Sequence, residues 1–464
     1  MRIHALLALT LLALTLLALP AAAQDSNVSI TWVGQACFVI RSEGGPTVVT
    51  DPPVPSVGYT LPAIAADAVT ITHNHTDHNN SAGVSGKFTL VDGRPVTSRQ
   101  QITAAGLTFT LIPGFHDNQN GAQRGQNTIV RWNQSGLKIA HFGDLGQDQL
   151  TEGQLADLRD LDLMFLPAGG FFTITPERAA QYVRELKPKV AILMHYKTAI
   201  GGPTQLAGLP DAAAPFSPLV YQPATVVVRA GNLPASTEVW VMQPASDAAA
   251  VSAAFTPGAA VAPGSLVSVF GKFTASQTNA AAGFPLPRKL GDTEVLIDGK
   301  AAPLIYISPG QINLQLSSAQ AAGQVLADMR VGAQTVARAP VTVVPNAPGI
   351  FVVANQDGRV NTPTLAARRG EILQIFGTGQ GAVLPAVDDG AAAPSQPVSN
   401  SLTLPNVFLE GRQLSVQFSG LAPGFAGLWQ LNVLIPRDAP TGPALGLTVV
   451  NGLTSNRVSV TVVD

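Results

Sequence analysis

The feature that most constrains this chain is a run of six residues, His73-Asn74-His75-Thr76-Asp77-His78. It directly follows an apolar, β-type stretch, Ala68-Val69-Thr70-Ile71. In an extended segment alternate side chains share one side, so His73, His75 and Asp77 are expected to face one cavity, with a turn bringing His78 beside them. The whole chain has only seven histidines, and three of them within six positions argue against a polar surface loop. Three imidazoles and a carboxylate suit a divalent first-row metal such as zinc. A fold that serves this run must bring loops together at the edge of a layered sheet.

The remaining polar residues extend the pattern. His116 lies in Ile112-Pro113-Gly114-Phe115-His116-Asp117, just past a strand-like run. His195 ends the apolar run Val190 to Met194, and His141 precedes Asp144 in His141-Phe142-Gly143-Asp144. Taken singly each reads as a loop residue; with the first cluster they read as one ligand set. Asp51, at the end of the strand-like Thr47 to Thr50, is placed to orient a ligand histidine from behind. Arg124 and Asn127 either reach a polar substrate group or shape their loop. Tyr196 and Lys197 flank His195, and Gly169-Gly170 suggests close backbone approach near the site.

At 464 residues the chain exceeds one core. Charged residues make up 12% and the formal net charge is −2, which leaves no basic excess for a nucleic-acid backbone. Arg2, the apolar run Ala5 to Leu19 and Pro20-Ala21-Ala22-Ala23 read as an export signal over 1–23. As a helix that run spans roughly 22 Å, short of the ~30 Å hydrocarbon core, so the mature protein is expected to have no membrane span and to be secreted or periplasmic. Cys37, the single cysteine, reads as a buried and inert thiol.

Residues 24–246 alternate strand-like and helical stretches. Paired strands are expected at Val28 to Trp32 and Cys37 to Arg41, and helices from Thr151 to Arg159 and Thr175 to Leu186 with threonine caps. From about residue 249 the helical period disappears and a repeat appears. Ala262 to Gly271 matches Arg368 to Gly377, and Gln311 to Leu316 answers Gln430 to Ile435, the copies lying about 106 to 120 residues apart. Each copy is the size of one β-sandwich, giving expected units at 247–350 and 351–464. Asp388-Asp389 reads as a solvated turn, and residues 200 to 222 have no clear assignment.

The ordered set His73, His75, Asp77, His78, His116, Asp144 and His195 resembles the signature of the metallo-β-lactamase superfamily. Thr31-Trp32-Val33-Gly34-Gln35-Ala36-Cys37-Phe38 with Asp51 resembles its opening strands. Leu166-Pro167-Ala168-Gly169-Gly170-Phe171-Phe172 and Met194-His195-Tyr196-Lys197-Thr198 are most similar to the ascorbate-6-phosphate lactonase branch. The tail resembles a tandem Ig-like module of secreted soil-bacterial proteins, in Ser308-Pro309-Gly310-Gln311-Ile312-Asn313 and Asn346-Ala347-Pro348-Gly349-Ile350-Phe351 among others. The resemblance implies an α/β fold, an αββα sandwich followed by two Ig-like all-β sandwiches.

It also implies two metal ions, most readily Zn2+, with Mn2+ or Fe2+ as alternatives. His73, His75 and His116 would hold one; Asp77, His78 and His195 the other; Asp144 would bridge. Metal-bound hydroxide, formed because coordination lowers the pKa of water from 15.7 to about 7, would cleave a lactone, ester, amide or phosphodiester. Asp77 is a candidate proton shuttle, and His141 is expected behind the ligands. The competing readings are an iron-dependent redox member of the same superfamily and a binding protein with a structural metal. The tail reads as a spacer, an attachment module or a surface for a cell-surface or extracellular partner.

Overall fold

The computed structural model describes residues 26–256, 258–273 and 278–464; the expected export signal lies outside them. The amino-terminal unit is built on two mixed sheets. The first runs, edge to edge, Thr225–Val228, Val28–Gly34, Cys37–Ser42, Thr47–Thr50, Ala68–Ile71 and Thr89–Asp92. The second runs Leu219–Gln222, Glu238–Met242, Val190–Met194, Leu163–Pro167, Leu137–His141, Gln126–Gln134, Leu107–Phe115 and Gln100–Ala104. Strand alternation sorts the side chains. Ile30, Trp32, Phe38, Ile40, Val48, Ala68 and Val91 enter the core shared with the second sheet, whereas Val33, Cys37, Val39, Val49, Val69 and Leu90 point to the outer face.

The helices Glu152–Asp157 and Pro176–Leu186 start where expected. Thr151 closes a capping box with Gln154, and the Thr175 hydroxyl accepts from the Arg178 N–H with Pro176 in the first turn; each cap contributes about 1 kcal/mol. Ala179, Ala180, Tyr182, Val183 and Leu186 bury one face of the second helix against the main core. The outer face of the first sheet differs from the expected four-layer scheme. Among the described residues it is covered by loops and the 3-10 turns Pro55–Val57 and Ser81–Gly83, through Tyr59, Leu61, Ile64 and Val84. Segment 200–222, unassigned from sequence, forms a short helix, Leu209–Ala213, and the edge strand Leu219–Gln222.

The rest of the chain is all β. Its repeat is visible strand for strand: Leu266–Gly271 pairs with Gln311–Gln315 as Ile372–Thr378 pairs with Trp429–Leu434. Ala260–Val261 runs parallel to Gln334–Val343 as Ala367–Arg368 does to Val458–Val463. The copies diverge where Arg412–Leu421 is one continuous strand, while its counterpart is split into Lys300–Ala301 and Leu304–Ile307. Each copy has its own core. The division expected after residue 350 falls inside the strand Gly349–Ala354, which pairs with Ile372–Thr378, so the change of core comes before Gly349. Asp389 is not merely solvated: its carboxylate accepts from the Ser318 N–H at 2.8 Å and ties the two copies together.

Candidate metal centre

The polar residues of interest follow strand ends. Asp51 follows Thr47–Thr50, the His73–His78 run follows Ala68–Ile71, and His116 follows Leu107–Phe115. Asp144 lies three residues beyond Leu137–His141, and His195 follows Val190–Met194. Parallel strands deliver their carboxyl ends to one rim, and that rim is where such sheets build sites. The His73–His78 run is not extended as expected. It bends at His73 and Asn74 and then makes the turn expected before His78, with the His78 N–H donating to the His75 carbonyl at 3.0 Å.

The other candidate ligands gather around Asp144. Its Oδ2 lies 3.0 Å from His195 Nε2, 3.2 Å from His116 Nε2 and 3.7 Å from His73 Nε2, and its Oδ1 lies 3.3 Å from His78 Nε2. His73, His75, His116 and Asp144 present ligand atoms within 4.8 Å of one another, and so do Asp77, His78 and His195. Asp144 thus stands between two groups of donors. The Nε2 atoms of His73, His78, His116 and His195 and Oδ1 of Asp144 are buried without a hydrogen-bond partner. Leaving that many polar atoms unpaired costs several kcal/mol, and divalent cations among them remove the cost. The residues therefore fit a metal centre.

The orientation of the imidazoles is set from behind. Asp51 Oδ2 lies 3.0 Å from His78 Nδ1, and Thr72 Oγ1 donates to the same oxygen at 2.5 Å while sitting 3.0 Å from His73 Nδ1. One buried carboxylate thereby reaches two rings, His78 directly and His73 through Thr72. Gln35, which sequence reasoning missed, donates from Nε2 to Asp77 Oδ2 at 2.9 Å, and its carbonyl accepts the His195 N–H at 3.1 Å. Its only sequence signal is its place in the turn Gly34-Gln35-Ala36. Asp51, Gln35 and His195 all have positive φ without being glycine, a strain that persists only where surrounding contacts impose it.

The alternatives left open for Arg124 and Asn127 fall toward the loop rather than the substrate. Asn127 does not reach the cleft: it is buried, its Nδ2 donates to the Phe142 carbonyl and its Oδ1 accepts from the Asp144 N–H, both at 2.9 Å, so it splints the turn carrying Asp144. The Arg124 guanidinium lies over the Phe172 ring, 5.8 Å from its centroid, and shapes the loop behind the cleft wall. Tyr196 points into the core, donating to the Met242 carbonyl, and Lys197 donates to the Gly201 carbonyl. His141 is buried beneath the site, with Nε2 2.8 Å from the Ala36 carbonyl, and belongs to neither donor group. Gly169 does what was expected of it, since a Cβ there would stand 2.0 Å from the His195 carbonyl oxygen.

The open side is a cleft of about 390 Å³ whose lining includes His75, Asp77, Phe172, Val57, Gly202 and Pro203. Burial opposes charge on His78, yet the Asp144 and Asp77 carboxylates outweigh it and hold the imidazolium well above its ordinary range. Burial likewise opposes charge on Asp144, and His195, His78 and His73 override it, keeping the carboxylate ionised. His73 goes the other way, lowered by burial and by His78. The metal-free site therefore retains a proton on His78 near neutrality, and cations must expel it. Metal affinity is expected to rise with pH from 6 to 8, with proton release on binding. Competition against a chromophoric chelator at several pH values checks this; an affinity independent of pH refutes it.

Asp117, beside His116, accepts backbone N–H groups from Gln119, Gly121, Gln123 and Arg124 at 2.7 to 2.9 Å. These bonds overcome burial and keep its carboxyl below the usual range. Asp117→Ala leaves four amides without their acceptor and is expected to destabilise the protein by about 1–3 kcal/mol, read as a fall in the denaturation midpoint. The Asp117 contribution is present above the ordinary carboxylate pKa and is lost as pH falls through its lowered value, so the variant and the parent should converge in acid.

Two facing sheets with a histidine–aspartate centre at their carboxyl rim define a class, the metal-dependent hydrolases of the αβ sandwich type. Residues 29–195 match the Beta-lactamase superfamily domain. A UPF0173 metal-dependent hydrolase of Myxococcus xanthus is 34% identical over 240 residues, covering 45% of this chain and 83% of that protein. One from Methanoculleus marisnigri is 32% identical over 190 residues, covering 36% and 81%. Among solved structures, a metallo-beta-lactamase superfamily protein of Thermotoga maritima shares 30% identity with a TM-score of 0.38, covering 46% of this chain and 98% of its own. The chain belongs to the metallo-β-lactamase superfamily and is a metal-dependent hydrolase.

Proposed function

We propose that this protein is an exported binuclear hydrolase of small carbonyl or phosphoryl esters, with cyclic esters the first class to test. The observation that carries this reading is Asp144, whose carboxylate has Nε2 of His73 and His116 from one donor group and of His78 and His195 from the other within 3.0 to 3.7 Å. In this reading His73, His75 and His116 hold one ion, Asp77, His78 and His195 hold the second, and Asp144 is shared. The bound cations, most readily zinc, supply Lewis acidity and a water nucleophile at neutral pH.

The chain's own residues do the rest. Asp51 and Thr72 keep His78 and His73 oriented, and Gln35 holds Asp77 Oδ2 at the rim of the cleft. Asp77, partly exposed there, is placed to take the proton given up by the attacking water and pass it to the leaving oxygen. Phe172, Val57 and Pro203 give the cleft an apolar side that favours an uncharged acyl or ring portion of the substrate. The lactonase-like sequence stretches support a cyclic ester. The two five-stranded sheets of the first copy and the sandwich-sized repeat support an Ig-like tail, and the apolar start of the sequence supports export.

The test is metal analysis of the purified protein followed by a panel of lactones, aryl esters, phosphodiesters and β-lactams on the zinc- and manganese-loaded forms. Two metal equivalents and lactone or ester turnover are expected. A protein that retains no transition metal, or a loaded protein inert toward the whole panel, overturns the reading.

A further inference from the structure

The wall of the cleft nearest His195 is a short turn, 198–203, that brings Gly202 and Pro203 to the lining. Most of its ties are local to the hydrolase unit. Thr198 Oγ1 accepts from the Gly201 N–H at 3.1 Å and lies 2.8 Å from the Tyr59 hydroxyl, and the Gly202 N–H donates to the Val57 carbonyl at 2.9 Å. One tie is not local. The Ala199 N–H donates at 3.1 Å to Oε1 of Gln324, 125 residues further on, at the start of the strand Gly323–Val331 in the all-β region. Beside it, Gly323 has φ +135°, and a Cβ there would stand 3.3 Å from Pro210 Cγ, at the start of the helix Leu209–Ala213. The first β unit therefore touches the 199–210 segment on both sides of the residues that line the cleft.

We infer that Gln324 is a positioning residue of the hydrolase cleft, so that the all-β region forms part of the substrate-binding architecture. The physical basis is simple. A turn outside helices and sheets holds its shape only as well as its amides are paired, and the Ala199 amide finds its acceptor on another unit. Only a side-chain oxygen can accept this N–H, which requires the Gln324 amide to present Oε1. Gln324 lies outside residues 29–195, the stretch matched to the superfamily, so the contact is a feature of this chain's own domain arrangement. It acts on substrate placement because Gly202 and Pro203 line the cleft, whereas the donor groups around Asp144 are anchored by other residues.

The substrate arm of the test rests on the hydrolase reading above; the exchange arm does not. In the full-length protein, Gln324→Ala is expected to speed amide exchange of the peptide spanning 197–203 by at least tenfold. With whichever ester or lactone probe the loaded enzyme turns over, KM should rise threefold to tenfold while kcat stays within twofold. Gln324→Glu keeps an oxygen acceptor and is expected to restore both toward the parent. Unchanged exchange in Gln324→Ala, a loss confined to kcat, or a glutamate variant as defective as the alanine overturns the inference. An enzyme inert toward every probe would count against the hydrolase reading alone, and amide exchange would still decide the role of Gln324.

Discussion

Asp144→Asn is expected to lower hydrolysis on the order of 10³-fold or more and to strip most of the bound metal, with the fold retained. The carboxylate has Nε2 atoms of four histidines within 3.0 to 3.7 Å, so it is the anion against which both donor groups are arranged. The amide keeps the shape and removes the charge, leaving cations to be held by imidazoles and by Asp77 alone. Elemental analysis and circular dichroism on the same sample separate the two effects. Full metal occupancy with near-parental activity would show that Asp144 is not the shared ligand.

Gly169→Ala is expected to be the most damaging single methyl group near the site. The new Cβ would stand 2.0 Å from the His195 carbonyl oxygen and 2.9 Å from Tyr196 Cα. Both obstacles are backbone, so no rotamer change relieves them. Either the strand end carrying His195 moves or the turn after Leu163–Pro167 does. Overpacking of this kind costs roughly 3 kcal/mol or more, and a displacement of about 1 Å at His195 costs roughly 10²-fold in rate. Gly106→Ala is the control. It has a positive φ, which Gly169 lacks, but open space surrounds it, and its cost should stay near 1 kcal/mol. Thermal unfolding of both variants checks the contrast; equal midpoints would refute it.

The donor set was legible in the sequence because its chemistry is rare. Few histidines exist in the chain, three fall within six residues, and the others stand at the ends of apolar runs. Caps such as Thr151 and Thr175 and the β repeat were legible for the same reason, since each is a local pattern with a local cause. Asn127 was not. Nothing in Arg124-Gly125-Gln126-Asn127-Thr128 distinguishes a residue that meets substrate from one that accepts the Asp144 N–H, because the partner lies 17 positions away. Gln35 and Gln324 escaped for the same reason: a glutamine has no characteristic motif, and its role depends on which amide or carboxylate the fold brings to it.

By itself the sequence determined which atoms can bind cations, where strands and helices begin, and that the chain repeats itself after the hydrolase unit. The tertiary structure alone decided that the chain bends at His73 and Asn74 ahead of the turn to His78, and that, among the described residues, loops and 3-10 turns cover the outer face of the first sheet. It also decided that a glutamine from the all-β region braces the cleft wall. The reason is one of range. Ligand chemistry and backbone propensity are properties of residues and their near neighbours, whereas the pairing of buried amides and carboxylates is settled between segments that meet only when the sheets close.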